Sequence, residues 1–204
     1  MNESQQKIYN QSAVVRNRLF QPIAFLLDKL KIKPDFLTLL SVAAMFVFIF
    51  VVENNYTLGI WLVAISIFLD MLDGVLARYQ KTQSDKGKLK DVLADNLSSL
   101  LFAFGLAAAG LVNPLIIIAY VYFMVMSKIL RVFLFSFRYQ SDWLFKPVAG
   151  LLPNFIVYIS YISFLAFVIS NNNFLNWIFL IFSFFLAVDA LYFLTKILNK
   201  RKSR

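Results

Sequence analysis

The chain has 204 residues, of which 60% are hydrophobic and 15% are charged, and its mean hydropathy is +0.72. A water-soluble domain is excluded, because such domains carry about a quarter charged residues. The sequence contains no His and no Cys, which excludes thiolate nucleophiles, histidine acid–base catalysis and the usual zinc sites. Carboxylates, hydroxyls, Lys and Arg are the side chains left for chemistry.

Long apolar segments predict an all-α integral membrane protein. A bilayer core about 30 Å thick needs about 20 apolar residues per helix, and six such spans lie between 36 and 196. They are Phe36–Val52, Tyr56–Arg78, Gly87–Gly110, Pro114–Phe137, Leu151–Ser170 and Phe174–Lys196. Segment 8–31 has apolar residues at helical spacing and predicts an amphipathic helix in the membrane interface. Residues 197–204 are predicted to form a basic tail, and residues 1–204 a single domain.

The basic residues predict the orientation in the membrane. The chain has 20 Lys and Arg against 11 Asp and Glu, a net charge of +9. All the basic residues fall in four regions. These are the segment before the first span, the connection between the second and third spans, the end of the fourth span with the loop that follows it, and the tail. Six spans put these regions on one side, which predicts cytoplasmic termini and a multi-pass protein of the cell membrane, inner or plasma. Topology and anionic lipids explain the charge better than nucleic acid does.

Four aspartates lie at the predicted cytoplasmic ends of the second and third spans. Asp70 and Asp73 are three residues apart and Asp91 and Asp95 are four apart, so each pair shares one helix face. The short connection between the spans folds them antiparallel and can bring the pairs face to face. A metal site built from carboxylates, with no His or Cys, favours Mg²⁺ or Mn²⁺. Two such ions would stabilise the reacting oxygens in a displacement reaction at a phosphorus atom.

Small and basic residues surround the aspartates. Gly74 and Ala77 on the second span and Gly87 on the third leave a strip where a nucleotide can approach the backbone. Arg78 ends the second span at the level of the lipid headgroups, where its guanidinium can bind phosphate. The alternative, in which Asp70 and Asp91 merely pair with Arg78 or Lys88, leaves two further carboxylates unexplained.

The whole pattern resembles the signature of a known family. It reads Asp70-x2-Asp73-Gly74-x2-Ala77-Arg78-x8-Gly87-x3-Asp91-x3-Asp95. This resembles the CDP-alcohol phosphotransferase (CDP-alcohol phosphatidyltransferase, class I) family at every fixed position. The segment Pro34–Thr38 resembles a weaker feature of the same family. The resemblance implies six transmembrane helices with a surface helix, usually as a homodimer. It also implies that an alcohol attacks the β-phosphorus of a CDP-linked lipid such as CDP-diacylglycerol and that CMP leaves.

The resemblance also implies roles for single residues. Asp70, Asp73, Asp91 and Asp95 would bind the metal ions, and Asp95 would be the general base, a metal ligand or both. The residues that would contact the CDP donor are Asp70, Asp73, Gly74, Ala77, Arg78 and Gly87. Ser84 and Thr38 are weaker candidates for nucleotide contacts, since each hydroxyl could equally bond to its own helix.

The acceptor alcohol is left open. A phosphorylated acceptor, such as inositol phosphate or glycerol 3-phosphate, would need a basic pocket, and serine or another alcohol is the alternative. The candidate residues for this pocket are Lys128, Arg131, Arg138 and Lys146, which topology explains equally well. Outside the family, a small ion or solute carrier could line its path with the same aspartates. A carrier predicts acidic residues deep in the membrane and an inverted repeat, and the sequence shows neither.

Two further features allow alternatives. Asp189 lies in the sixth span, where we expect a structural pair rather than a contact with the acceptor pocket. The small residues Ser99, Ala103 and Ala107 recur every fourth position of the third span. Such a row predicts close helix packing, either at a dimer seam or inside one subunit.

Overall fold

The computed structural model describes residues 19–136 and 151–202, which form seven helices. The helices are α1 (19–29), α2 (Pro34–Val51), α3 (Tyr56–Tyr79), α4 (Asp85–Ala108), α5 (Pro114–Ser136), α6 (Leu151–Ser170) and α7 (Leu175–Lys202). Every regular element in this part of the chain is helical, which confirms the all-α prediction. Residues 8–18 of the predicted interfacial helix lie outside the described residues.

Several helices have the length and composition of membrane spans. α2, α3, the segment Leu89–Ala108 of α4 and the segment Leu175–Thr195 of α7 are long and apolar enough to cross a bilayer. Within the described part of the chain, α5 and α6 contain shorter apolar segments, Pro114–Leu130 and Phe155–Ser170. Large apolar side chains point outward along the helices; Leu39 is 66% exposed and Ile169 is 76% exposed. These properties indicate a multi-pass membrane protein, while six spans and cytoplasmic termini stay predictions.

The helix ends agree with the predicted spans to within two residues, except at the end of α7. That helix continues through the basic segment to Lys202, while its long apolar segment is Leu175–Thr195, which ends one residue before the predicted end of the last span. The apolar pattern ends where charge begins, but Lys, Arg and Leu are good helix formers and carry the helix further.

Asparagine side chains begin the helices that follow the short polar hinges. Asn55, Asn113 and Asn173 each accept a backbone hydrogen bond through the carboxamide oxygen. The donors are Leu58 at 2.9 Å, Leu115 at 2.9 Å and Leu175 at 3.3 Å, respectively. Each bond satisfies a backbone N–H group that the first turn of a helix leaves unpaired.

The described chain divides into two compact units. The first comprises the described residues up to Phe48 together with Trp61–Leu101. Its apolar core joins α1, α2 and α3 through Ala24, Leu37, Leu72, Val75 and Leu76. The face of α1 that carries Ala24 therefore packs against the membrane-spanning helices.

Other apolar side chains of α1 do not pack in this core. Leu19, Leu26 and Leu30 are apolar side chains of this helix that remain exposed, as the interfacial position predicted for segment 8–31 requires. Gln80, in the turn that follows α3, forms hydrogen bonds at the end of α1. The Gln80 amide nitrogen donates 2.9 Å to Oδ1 of Asp28 and 3.0 Å to the carbonyl oxygen of Ile32.

The second unit comprises Ile49–Ile60 and the described residues from Phe102 onward. Tyr120 of α5 and Phe179 of α7 meet edge to face with their ring centroids 5.0 Å apart. Ser127, fully buried on α5, donates a hydrogen bond to Asp189 on α7. This contact agrees with the structural pair expected for Asp189. Ala103 of the small-residue row is also fully buried within the single chain.

Candidate active site

The four motif aspartates lie in the first unit and differ in how far the protein buries them. Asp70 and Asp73 are near the end of α3, and Asp91 and Asp95 are in the first half of α4. Asp73 is buried, with 4% of its surface exposed, and Asp70 is half-buried. Asp91 and Asp95 are exposed. One carboxylate is therefore enclosed by the protein, while those of α4 are accessible from outside.

Three of these carboxylates lie within electrostatic range of one another. Asp73 interacts with Asp70 and Asp91, and Asp70 also interacts with Asp91. Like charges at such distances repel, and a cation relieves the repulsion. One cation is already near, because Lys90 interacts with Asp91 and forms an ion pair with Asp35 at the start of α2.

The buried carboxylate has a hydroxyl partner on another helix. Thr38 of α2 donates from Oγ1 to Oδ2 of Asp73 at 2.5 Å. Leu37, the neighbour of Thr38, packs in the same core as Leu72, the neighbour of Asp73, which fixes α2 against α3 at this point. Thr38 Oγ1 is also 3.3 Å from the carbonyl oxygen of Pro34. Since a hydroxyl carries one proton, the shorter contact identifies Asp73 as the main partner.

Gly74 provides the surface on which Arg78 lies. A Cβ atom added to Gly74 would be 3.5 Å from Nη1 and 3.8 Å from Nη2 of Arg78. The guanidinium therefore folds back along α3, over the turn that precedes it. Positions 70, 74 and 78 are four residues apart, so Arg78 lies on the same stripe of the helix as Asp70. Ala77 is half-buried beside it.

The connection between α3 and α4 is built from two local motifs. Lys81 adopts a left-handed conformation with φ 54°, and the Thr82 N–H group bonds to the carbonyl oxygen of Ala77 at 3.0 Å, as in a Schellman turn. Ser84 Oγ then accepts a bond from the Gly87 N–H group at 3.1 Å and caps α4. For Ser84 the structure therefore shows the helix-bonding alternative.

The chemistry of the aspartates suits a hard divalent cation. They offer oxygen donors only, as Mg²⁺ and Mn²⁺ prefer, and three of them interact electrostatically. Within the described ranges, no three acidic side chains are close enough to form a ligand set for one ion. Donor chemistry and charge therefore fit the ion, whereas a finished ligand geometry is not formed among these residues.

The predicted acceptor residues are only partly described. Lys128 is half-buried on α5 in the second unit. Arg131 lies on the same helix, but its side chain is outside the description. Arg138 and Lys146 lie outside the described residues altogether. The acceptor pocket therefore stays a prediction.

Two residues near the site were not singled out by sequence reasoning. Lys90 pairs with Asp35 and acts on Asp91, and its place directly before a motif aspartate is the signal that could have drawn attention to it. Gln80 fastens α1 to the end of α3. Its partners are 48 and 52 residues away, and no local pattern points to them.

Comparison of the sequence with known proteins identifies its family. The family model for CDP-alcohol phosphatidyltransferases matches residues 31–189. The chain therefore belongs to the CDP-alcohol phosphatidyltransferase family, which confirms the prediction from the aspartate motif. The family indicates a transferase, so the carrier hypothesis has no support, and its members generally use divalent metals.

One particular relative is similar over part of its length. The chain is 34% identical over 104 residues to an archaetidylinositol phosphate synthase of Pyrococcus horikoshii. The similar region covers 48% of this chain and 55% of the relative. The chain thus spans about half the length of the curated relative that it matches.

Proposed function

We propose that this protein transfers the phosphatidyl-type group of a CDP-linked lipid to the hydroxyl of a small polar alcohol and releases CMP. A phosphodiester lipid is the second product. The observation that carries this proposal is the complete aspartate motif on α3 and α4, which lies inside the family match over 31–189.

Asp70, Asp73, Asp91 and Asp95 are the side chains proposed to hold two Mg²⁺ or Mn²⁺ ions. Bound ions of this kind neutralise a pyrophosphate and stabilise CMP as a leaving group. Asp73 supplies a carboxylate that is already held in place by Thr38. The electrostatic interactions among Asp70, Asp73 and Asp91 support this assignment.

The protein's own residues bind the donor and move the proton. Arg78, whose guanidinium lies over Gly74, is positioned to bind donor phosphate. Gly74 and Ala77 leave room for the nucleotide beside α3, with Gly87 in the same role on α4. The carboxylate of Asp95 is proposed to take the proton from the acceptor hydroxyl as the alcohol oxygen bonds to the β-phosphorus. The bond from that phosphorus to the CMP oxygen breaks in the same displacement.

Inositol phosphate is the acceptor we favour. The Pyrococcus horikoshii relative is an archaetidylinositol phosphate synthase, and a phosphorylated alcohol suits a basic pocket. The residues proposed for that pocket are Lys128, Arg131, Arg138 and Lys146. Glycerol 3-phosphate is the second choice, and serine is the third.

All the basic residues fall on one predicted side of the membrane, which supports an active site on the cytoplasmic face of the cell membrane. The exposed apolar residues Leu19, Leu26 and Leu30 support contact between α1 and membrane lipids. A homodimer is proposed from the family resemblance.

The deciding experiment measures CMP release by the purified full-length chain in detergent micelles. Donors are ester-linked and ether-linked CDP lipids, each with Mg²⁺ or Mn²⁺. Acceptors are inositol phosphate, glycerol 3-phosphate, serine and inositol. We expect CMP release only with a metal and with inositol phosphate. Release with a different acceptor would correct the substrate and keep the reaction, whereas no release in any combination would refute the proposal.

A further inference from the structure

A buried hydrogen bond links two helices at the acidic site. Thr38 and Asp73 are 35 residues apart in the chain, and their side chains are 9% and 4% exposed. A carboxylate in such a position loses much of its hydration and must be compensated by other groups. Asp70 and Asp91 act on Asp73 as like charges and make the position less favourable still. Thr38 is a neutral donor that compensates for part of this cost.

We propose that Thr38 is a positioning residue for metal binding by Asp73. Its hydroxyl donates to Oδ2, and together with the backbone N–H group of Gly74, which also donates to this carboxylate, it restricts rotation of the side chain. Carboxylate ligands of metals depend on such outer hydrogen bonds, and losing one weakens metal affinity about 10- to 100-fold. The inference rests on the proposed function, since it assigns Asp73 to the metal site.

A merely structural role would have a different signature. If the bond only joined α2 to α3, removing it would lower stability and leave metal affinity per folded molecule unchanged. Leu37, Leu72 and Leu76 already join the two helices through apolar packing. Removing one hydroxyl from this contact is therefore expected to leave the fold intact.

The test measures Mn²⁺ binding by electron paramagnetic resonance on the full-length chain in micelles, without substrates. Thr38→Val removes the hydroxyl at nearly constant volume and Thr38→Ser keeps it. Ser41→Ala is the matched control, since Ser41 is also buried on α2 but bonds to the carbonyl oxygen of Thr38 rather than to Asp73. We expect Thr38→Val to weaken Mn²⁺ binding about 10-fold or more, with Thr38→Ser and Ser41→Ala close to wild type.

A double variant separates the two explanations further. With Asp73→Asn in place, Thr38→Val should cause no further loss of affinity, because the pair acts as one unit. If Thr38→Val binds Mn²⁺ as the wild type does, or if Ser41→Ala weakens binding equally, the positioning role is overturned and the proposed reaction stands. If the wild type itself binds no Mn²⁺, the metal-dependent function and this inference fall together.

Discussion

The Gln80 side chain lies at the end of α3 and donates a 2.9 Å hydrogen bond to Asp28 near the end of α1. The same amide nitrogen reaches the carbonyl oxygen of Ile32, in the segment that leads into α2. One side chain thus connects the end of α3 to α1 and to the segment between α1 and α2. Gln80 lies two residues from Arg78 and links α1 to the end of the helix that carries Asp70 and Asp73.

Replacing Gln80 with Ala should loosen α1 from the rest of the first unit. The substitution removes two hydrogen bonds and leaves a half-buried carbonyl without its partner, so we expect a loss of about 1–2 kcal/mol in the free energy of unfolding. Thermal unfolding in micelles measures the change. Gln83→Ala is the control, because Gln83 is exposed in the same connection. Equal effects of the two substitutions would contradict the assigned role.

Ser84→Ala distinguishes a helix cap from a nucleotide contact. Loss of the bond to the Gly87 N–H group should destabilise the protein by about 0.5–2 kcal/mol. Ser84→Asp should restore stability, because Asp caps helices as well as Ser does. Thermal unfolding and the KM for the CDP donor are measured together. A higher KM with unchanged stability would instead make Ser84 a nucleotide contact.

Gly74→Ala should separate stability from donor binding. The new methyl group would meet Arg78 at 3.5 Å, an ordinary contact, and Ala is favoured over Gly inside a helix by about 1 kcal/mol. We therefore expect unchanged or higher stability with a higher KM for the CDP lipid, since the methyl occupies the strip proposed for the nucleotide. An unchanged KM would show that the donor does not approach this part of α3.

Asp95→Asn should abolish turnover while leaving donor binding largely intact. The amide cannot accept the proton of the acceptor alcohol, and loss of a general base lowers the rate about 10²- to 10⁴-fold. CMP release gives the rate, and binding of labelled CDP lipid gives the affinity. Glu53→Gln, at an exposed acidic position in the hinge after α2, serves as the control. Turnover near that of the wild type would remove Asp95 from the base role.

The sequence predicted the helices well because their signals are local. The lengths of the apolar runs predicted the positions of α3 and α5, since an apolar run is a signal within a single stretch of sequence. Helix α7 continues past the end of the predicted span, because the loss of apolar character ends a span without ending a helix. The helical spacing of Asp70 and Asp73 likewise predicted their common helix.

The hydrogen-bond partners of the site residues were harder to predict from the sequence than the helices. Thr38 was recognised as a residue of interest, but its bond to Asp73 depends on how α2 packs against α3. Gln80 bonds to Asp28 of α1 and to Ile32 in the segment between α1 and α2. Such contacts depend on tertiary packing, and a single sequence carries no periodic signal for them.

The polar hinges of the second unit have a consequence for the environment that the protein tolerates. Asn176 accepts a 2.7 Å bond from the backbone of Asn113, and Asn173 donates a 3.1 Å bond to the carbonyl oxygen of Leu111. Carboxamides carry no charge and do not titrate. These contacts of the second unit therefore consist of bonds that neither acid nor salt weakens through charge, whereas acid and salt act directly on the carboxylates of the first unit.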